Sequence, residues 1–323
     1  MGKNDYVAGI DLGGTNIRTA SVSFDGAILS RVKIETGAAD GYKAVLERIV
    51  ESVRSAASHT SGTLAAVGIA APGAIDFTRG VVTRSPNFPD WRDAPLTNDL
   101  AAALKVPVEL ENDANAAAFG EGFAGAAKGW RDYIMFTLGT GVGSGVVLNG
   151  KVWRGPSGMA GEMGHITARP DGRKCGCGNN GCVEAYASAS GVAATARERF
   201  NEPAAAWLQK ASGGDASMID AALVAKGAFE NDPLCREMLE EAGECLGFAL
   251  AAGALVLGVT RFVIGGGMAG ALPVMENSIR NSAARRAYTI AGSGIEIVNA
   301  SLGDDAGIIG AAAIAIGAME SLR

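Results

Sequence analysis

The chain has 323 residues, 48% of them hydrophobic and 19% charged, with a formal net charge of -6. That balance describes a globular protein long enough for two domains, and the acidic charge argues against broad nucleic-acid or anionic-membrane binding, which needs a basic face. The longest uncharged apolar runs, 247–260 and 306–319, are too short and too rich in Ala and Gly to span a bilayer; no apolar leader is visible at the start, so a cytoplasmic location is expected.

Residues 6–12, 17–24 and 27–35 read as three successive strands, joined through Gly13-Gly14 and then through Asp25-Gly26, a strong hairpin signal. Helical periodicity follows over 41–58, an apolar strand over 64–71, a helix over 95–104 and a strand over 106–111. A second copy of this plan begins near Asp132, with strands at 133–138, 145–148 and 152–154, a glycine-rich first turn and Asn149-Gly150 as the second. A helix over 233–257, a strand at 261–264, a helix at 272–286 and a strand at 294–298 complete it. The last helix, 304–319, has a Gly/Ala face that permits a close crossing on either half. Such duplication implies two similar α/β domains with a cleft between them. The expected division is 1–115 plus about 304–323 for a smaller domain and 116–303 for a larger one.

Five cysteines occur, and three fall in Cys175-Gly176-Cys177-Gly178-Asn179-Asn180-Gly181-Cys182. With His165 they supply one imidazole and three thiolates, the donor set of a closed tetrahedral zinc site, with glycines for tight loops between ligands. Buried thiols that happen to be neighbours, or a disulfide in an oxidising compartment, are the alternatives; the glycine alternation and the expected cytoplasmic setting favour metal. Cys235 and Cys245 sit in a helical stretch and read as core thiols. Glu162 and Glu184 bracket the cluster as carboxylates zinc does not need.

Asp11-Leu12-Gly13-Gly14-Thr15-Asn16 places a carboxylate at a strand end, then a turn whose N–H groups can approach phosphate oxygens; Asp11 is a candidate holder of a metal or its water. Taken alone it is equally an ordinary hairpin, but Gly139-Thr140-Gly141-Val142-Gly143-Ser144-Gly145 repeats the context. Neither is a Walker A loop, and neither opens a helix as a dinucleotide fingerprint does. In Glu111-Asn112-Asp113-Ala114-Asn115, Asn112 or Asp113 serves as a helix N-cap, or Asp113 is a general base on a sugar hydroxyl that Asn112 orients. Asn87, in a proline-framed loop, can donate and accept. Gly265-Gly266-Gly267 lets a strand-to-helix turn lie flat against a ligand such as adenosine.

Together Asp11–Asn16, Glu111–Asn115, Gly139–Gly143, Gly161-Glu162-Met163-Gly164-His165 and Cys175–Glu184 resemble the ROK family (repressor, open reading frame, kinase), most of all its glucokinase branch, over essentially the whole chain. The resemblance implies an actin-like, hexokinase-like fold of two ribonuclease-H-type domains and a homodimer. It also implies ATP and Mg²⁺ use and phosphorylation of a hexose 6-hydroxyl, with glucose the leading substrate; the zinc read from the cysteine cluster is then structural. By the same resemblance Asp113 is the base, Asn87, Asn112, Glu162, His165 and Glu184 bind sugar hydroxyls, and Pro72-Gly73 borders the sugar. The turns with Gly13, Gly14, Thr15, Asn16, Gly139, Thr140 and Gly141 hold phosphates, and Gly266 borders adenosine. Kinases for N-acetylmannosamine, N-acetylglucosamine, fructose or allose, and a non-catalytic sugar-responsive regulator, are the competing readings. A repressor carries a helix-turn-helix ahead of the first strand, for which the five residues before Tyr6 leave no room.

Overall fold

The computed structural model describes residues 5–288 and 294–321. The first half comprises β1 (Tyr6–Leu12), β2 (Asn16–Val22), β3 (Ile28–Glu35), α1 (Tyr42–Ser58), β4 (Leu64–Ala71), a small hairpin β5 (Ala74–Asp76) and β6 (Val81–Arg84), α2 (Leu96–Leu104), β7 (Val108–Asn112) and α3 (Asp113–Ala124). The second opens with β8 (Tyr133–Leu138), β9 (Val142–Leu148) and β10 (Lys151–Val152). Short helices α4 (Glu184–Ala187), α5 (Ala189–Glu198), α6 (Ala206–Ala211) and α7 (Ala221–Phe229) precede α8 (Pro233–Leu257), β11 (Arg261–Gly265), α9 (Leu272–Arg286), β12 (Glu296–Asn299) and α10 (Ala306–Ser321).

The two main sheets have strand orders β3-β2-β1-β4-β7 and β10-β9-β8-β11-β12, the same plan position by position. In the first, β1 runs antiparallel to β2 and parallel to β4; in the second, β11 runs parallel to both β8 and β12. The duplication expected from the glycine turns is therefore present in the topology. Asn149 and Gly150 have φ of 53° and 74°, the doubly positive pair that a two-residue hairpin requires. The α8 boundaries follow from Asp232, whose side chain accepts the Cys235 N–H at 2.9 Å, Pro233 in the first turn, and Gly258 at φ 71° past the end.

Compact packing divides the described chain into two units. One holds residues up to Arg131, Gly145–Gly161 and Ser301 onward; the other holds Asp132–Ser144 and Glu162–Ala300. In the first unit, alternation along β1 sends Ala8, Ile10 and Leu12 into a core with Ile49, Ile69, Leu96 and Leu100, and Val7 into a second core with Val22, Ile308 and Ile316. The last helix, α10, packs there on β1, β4 and α3. Gly9 and Gly68 face the Ile308 and Ala311 carbonyls of α10 so closely that neither leaves room for a Cβ. In the second unit Phe136, Phe262, Leu246, Met275 and Ile279 are buried among β8, β11, α8 and α9, with Cys235 and Cys245 as core thiols.

Three local differences from the sequence reading have plain causes. The hairpin of β5 and β6 is too short to show alternation. The glycine turn ends at Gly141, where the Gly139 N–H reaches the Gly141 carbonyl at 3.0 Å, so β9 starts at Val142 rather than at 145. Gly145 is a strand residue whose added Cβ would lie 2.7 Å from the Ala114 carbonyl, so it serves close packing on α3 instead of a turn. No described helix is long and apolar enough to cross a membrane.

Candidate active site

In the first unit, β1 ends at Asp11 and Leu12, and the turn to β2 is closed by the Gly13 N–H donating to Asn16 O at 2.9 Å. Thr36, past β3, fixes this turn twice: its hydroxyl donates to Gly13 O at 2.7 Å and its N–H to Thr15 O at 2.9 Å. The carbonyls are thus consumed from behind. Burial pushes the Asp11 carboxyl above its ordinary range, Arg18 at 3.6 Å pulls it back, and Asp304 adds to the rise. A half-buried carboxylate with a loose counter-charge is suited to a cation.

Gly14 brings Asn87 to this turn. A Cβ on Gly14 would lie 3.0 Å from Asn87 Nδ2. The loop carrying Asn87 is anchored by Phe88 and Trp91, both buried and stacked with ring centroids 4.3 Å apart, while Asn87 itself stays exposed. Gly73, at φ 111°, lies against the backbone of Ser85, with its hypothetical Cβ 2.8 Å from Ser85 Cα. No residue with a side chain fits that approach.

The alternatives at the head of α3 are resolved by geometry. Asn112 is the cap: its Oδ1 accepts the N–H groups of Ala114 at 3.0 Å and Asn115 at 3.2 Å. Asp113 is the first residue of the helix and exposed, with Oδ1 accepting the Ala114 N–H at 2.9 Å. The Asn112 peptide N–H is itself held by Oε1 of buried Glu111 at 2.9 Å.

In the second unit, the turn Gly139–Gly141 leaves β8, and Gly266 fits beside it. Gly266 has φ 85°, and a Cβ there would lie 2.5 Å from the Leu138 carbonyl oxygen. The Met268 N–H donates to Leu138 O at 3.0 Å, and the Ala189 N–H to Gly139 O at 2.8 Å. Both glycine turns of this unit are therefore neighbours. Glu184 at the start of α4 joins them to the cysteine loop, because its Oε2 accepts the Val142 N–H at 3.0 Å. The other oxygen lies 3.5 Å from Cys175 Sγ and 4.0 Å from His165 Nδ1.

The ligand atoms of His165, Cys175, Cys177 and Cys182 lie within 4.8 Å of one another. Cys175 Sγ and His165 Nδ1 are 3.7 Å apart, as are the sulfurs of Cys177 and Cys182. Zn–S bonds of about 2.3 Å at tetrahedral angles give edges of about 3.8 Å, so the set fits zinc. Backbone bonds fold the loop to this shape, from the Cys175 N–H to Asn179 O at 2.8 Å and from the Gly181 N–H to Arg173 O at 2.8 Å. Burial pushes the Cys175 thiol up to about 12 and raises Cys182, while the Asn179 N–H pulls Cys177 down. Three thiolates beside Glu184 are stable together only around a cation. His165 Nε2 points the other way, 3.9 Å from the exposed Glu162 carboxylate.

Each candidate residue thus falls into one of two sets. Asp11, Gly13, Gly14, Thr15, Asn16, Gly73, Asn87, Asn112 and Asp113 belong to the first unit; Gly139, Thr140, Gly141, Glu162, His165, Glu184, Gly266 and the cysteines belong to the second. Sequence reading gave no role to Glu111 or Arg154, because an ion pair between residues so far apart in the chain has no local signature.

This architecture is the actin-like ATPase fold. A ROK hexokinase from Thermus thermophilus superposes with a TM-score of 0.82 at 33% identity, covering 98% of this chain and 99% of its own. A ROK glucokinase from Streptomyces griseus, solved with glucose and AMPPNP, gives 0.79 at 36%, covering 96% and 99%. Residues 7–318 match the model of the ROK family, and the chain belongs to that family. It is a glucokinase-like member: a glucokinase of Thermotoga maritima is 35% identical over 306 residues, 95% of this chain and 96% of the relative.

Proposed function

We propose that this protein transfers the γ-phosphoryl group of ATP to the 6-hydroxyl of a hexose, with glucose the first substrate to test. The observation that carries the reading is the division of labour at the head of α3. Asn112 caps the helix N-terminus through its own side chain, and the Asp113 carboxylate stands exposed in the first turn of α3, in reach of a substrate hydroxyl whose proton it would take. Likeness to glucokinases, one of them solved with glucose and an ATP analogue, supports the same reading.

In this mechanism Asp113 accepts the hydroxyl proton as the sugar oxygen attacks phosphorus and the bond to the leaving diphosphate breaks. The Asn112 and Asn87 amides orient hydroxyls in the first unit. Glu162, His165 Nε2 and Glu184 pair with others in the second, since carboxylates and imidazoles read groups that both donate and accept. The N–H groups of the turns at Gly13-Gly14 and Gly139–Gly141 stabilise phosphate charge, and Gly266 leaves a flat border for adenosine. Mg²⁺ held with Asp11 would neutralise charge on the phosphates. Zinc held by His165, Cys175, Cys177 and Cys182 would lock the His165 ring with Nε2 outward, a support rather than a catalyst.

A coupled ADP-release assay across glucose, mannose, fructose, allose and the N-acetylhexosamines tests the reading. Rapid hexose-dependent ADP formation, greatest with glucose, is expected. Hexose-independent turnover, or none, contradicts it.

A further inference from the structure

The strand that delivers Asn112 and Asp113 carries a buried charge. Glu111 is 1% exposed, a position that strongly destabilises a carboxylate left unpaired. Its only ion-pair partner among the described residues is Arg154, which follows β10. The guanidinium donates to Oε2 through Nε at 2.7 Å and through a terminal nitrogen at 2.6 Å. The other oxygen, Oε1, accepts the Asn112 N–H at 2.9 Å and the Asn115 side-chain amide at 3.0 Å.

Arg154 is itself held on a fixed line. Its guanidinium lies 4.5 Å from the centroid of the Phe77 ring, and its carbonyl accepts the Ala160 N–H at 3.0 Å. Among the described residues, the donors to Glu111 are this guanidinium and groups of the segment that presents Asp113. A pair serving stability alone needs no second oxygen engaged by the peptide adjoining the base.

We propose that Arg154 is a positioning residue for phosphoryl transfer. By pairing with Oε2 it holds the Glu111 side chain in line, so that Oε1 fixes the Asn112 peptide and with it the direction in which the Asp113 carboxylate leaves the strand. This rests on the assignment of Asp113 as base.

The test compares Arg154→Lys, Arg154→Met, the double variant Arg154→Met/Glu111→Gln and Asp113→Asn with the parent protein. Rates are divided by the folded fraction from circular dichroism. With the guanidinium fork lost, kcat for the preferred hexose is expected to fall about 10- to 100-fold in Arg154→Lys and Arg154→Met, with KM for ATP moving less than about 2-fold. The double variant is expected to recover kcat to within about 5-fold of the parent, because a neutral amide keeps the Oε1 acceptor without needing a counter-charge. Rates per folded molecule equal to the parent in Arg154→Lys, or a folded double variant no faster than Arg154→Met, overturn the positioning role. If Arg154→Met does not fold, Arg154→Lys and the double variant decide. An Asp113→Asn protein at full rate instead overturns the base, which separates the two failures.

Discussion

The Glu184 carboxylate accepts the Val142 N–H at 3.0 Å through one oxygen and stands 4.0 Å from His165 Nδ1 with the other. One side chain thereby joins the cysteine loop to the Gly139–Gly141 turn. A residue assigned to the sugar on sequence grounds also shapes a turn assigned to phosphate. Glu184→Ala is expected to raise KM for the hexose and for ATP together, each by about 10-fold or more, as the loss of a charged hydrogen bond implies. Glu184→Gln, which keeps an acceptor for Val142, should spare ATP. Separate titrations of each substrate check this; a change confined to the hexose contradicts the link.

Removing a cysteine tests the zinc site proposed for this cluster. Cys177→Ser is expected to lose its zinc by elemental analysis and to weaken hexose binding about 10- to 100-fold, the usual effect of disturbing the support of a bound group. Unchanged hexose affinity after confirmed zinc loss would sink the coupling through His165.

Asp11 gives a prediction with a definite sign. Burial raises its carboxyl in the folded protein above its unfolded value. The stability tied to such a group is complete below the unfolded value, about 3.9, and is lost as pH rises through the folded one. Asp11→Asn should therefore melt higher than the parent at pH 7, with the gain shrinking as pH falls toward 4, and should phosphorylate poorly. Calorimetry across that range checks it; a parent protein more stable than the variant at pH 7 contradicts it.

The crossing of α10 on α3 has no room for branched residues. Gly310 faces the Ala116 carbonyl and Gly120 that of Ala306, each too close for a Cβ. Gly310→Val is expected to cost about 1–3 kcal/mol of stability or more through overpacking, measured by urea unfolding. A neutral result would mean that the helices separate freely.

Much of this was legible because local chemistry fixes it. The bounds of β1, β4, β8, α8 and α9 agree with the sequence reading, since apolar runs there end at glycines, prolines or charged residues. The cysteine loop was legible because its ligands are close in sequence and its glycines alternate with them. What was hidden depends on contacts between distant segments. Nothing near Glu111 announces Arg154, and nothing near Glu184 announces the Val142 N–H. Whether Asn112 or Asp113 capped α3 was likewise a matter of side-chain direction, which spacing alone does not encode.

The assignment of Asp113 as base is tested most directly by single-turnover phosphorylation with the Asp113→Asn protein, at saturating ATP and hexose. General-base loss costs about 10²- to 10⁴-fold, so the expected result is a chemical step slowed by that much with hexose affinity retained. Phosphorylation at the parent rate would contradict the central assignment.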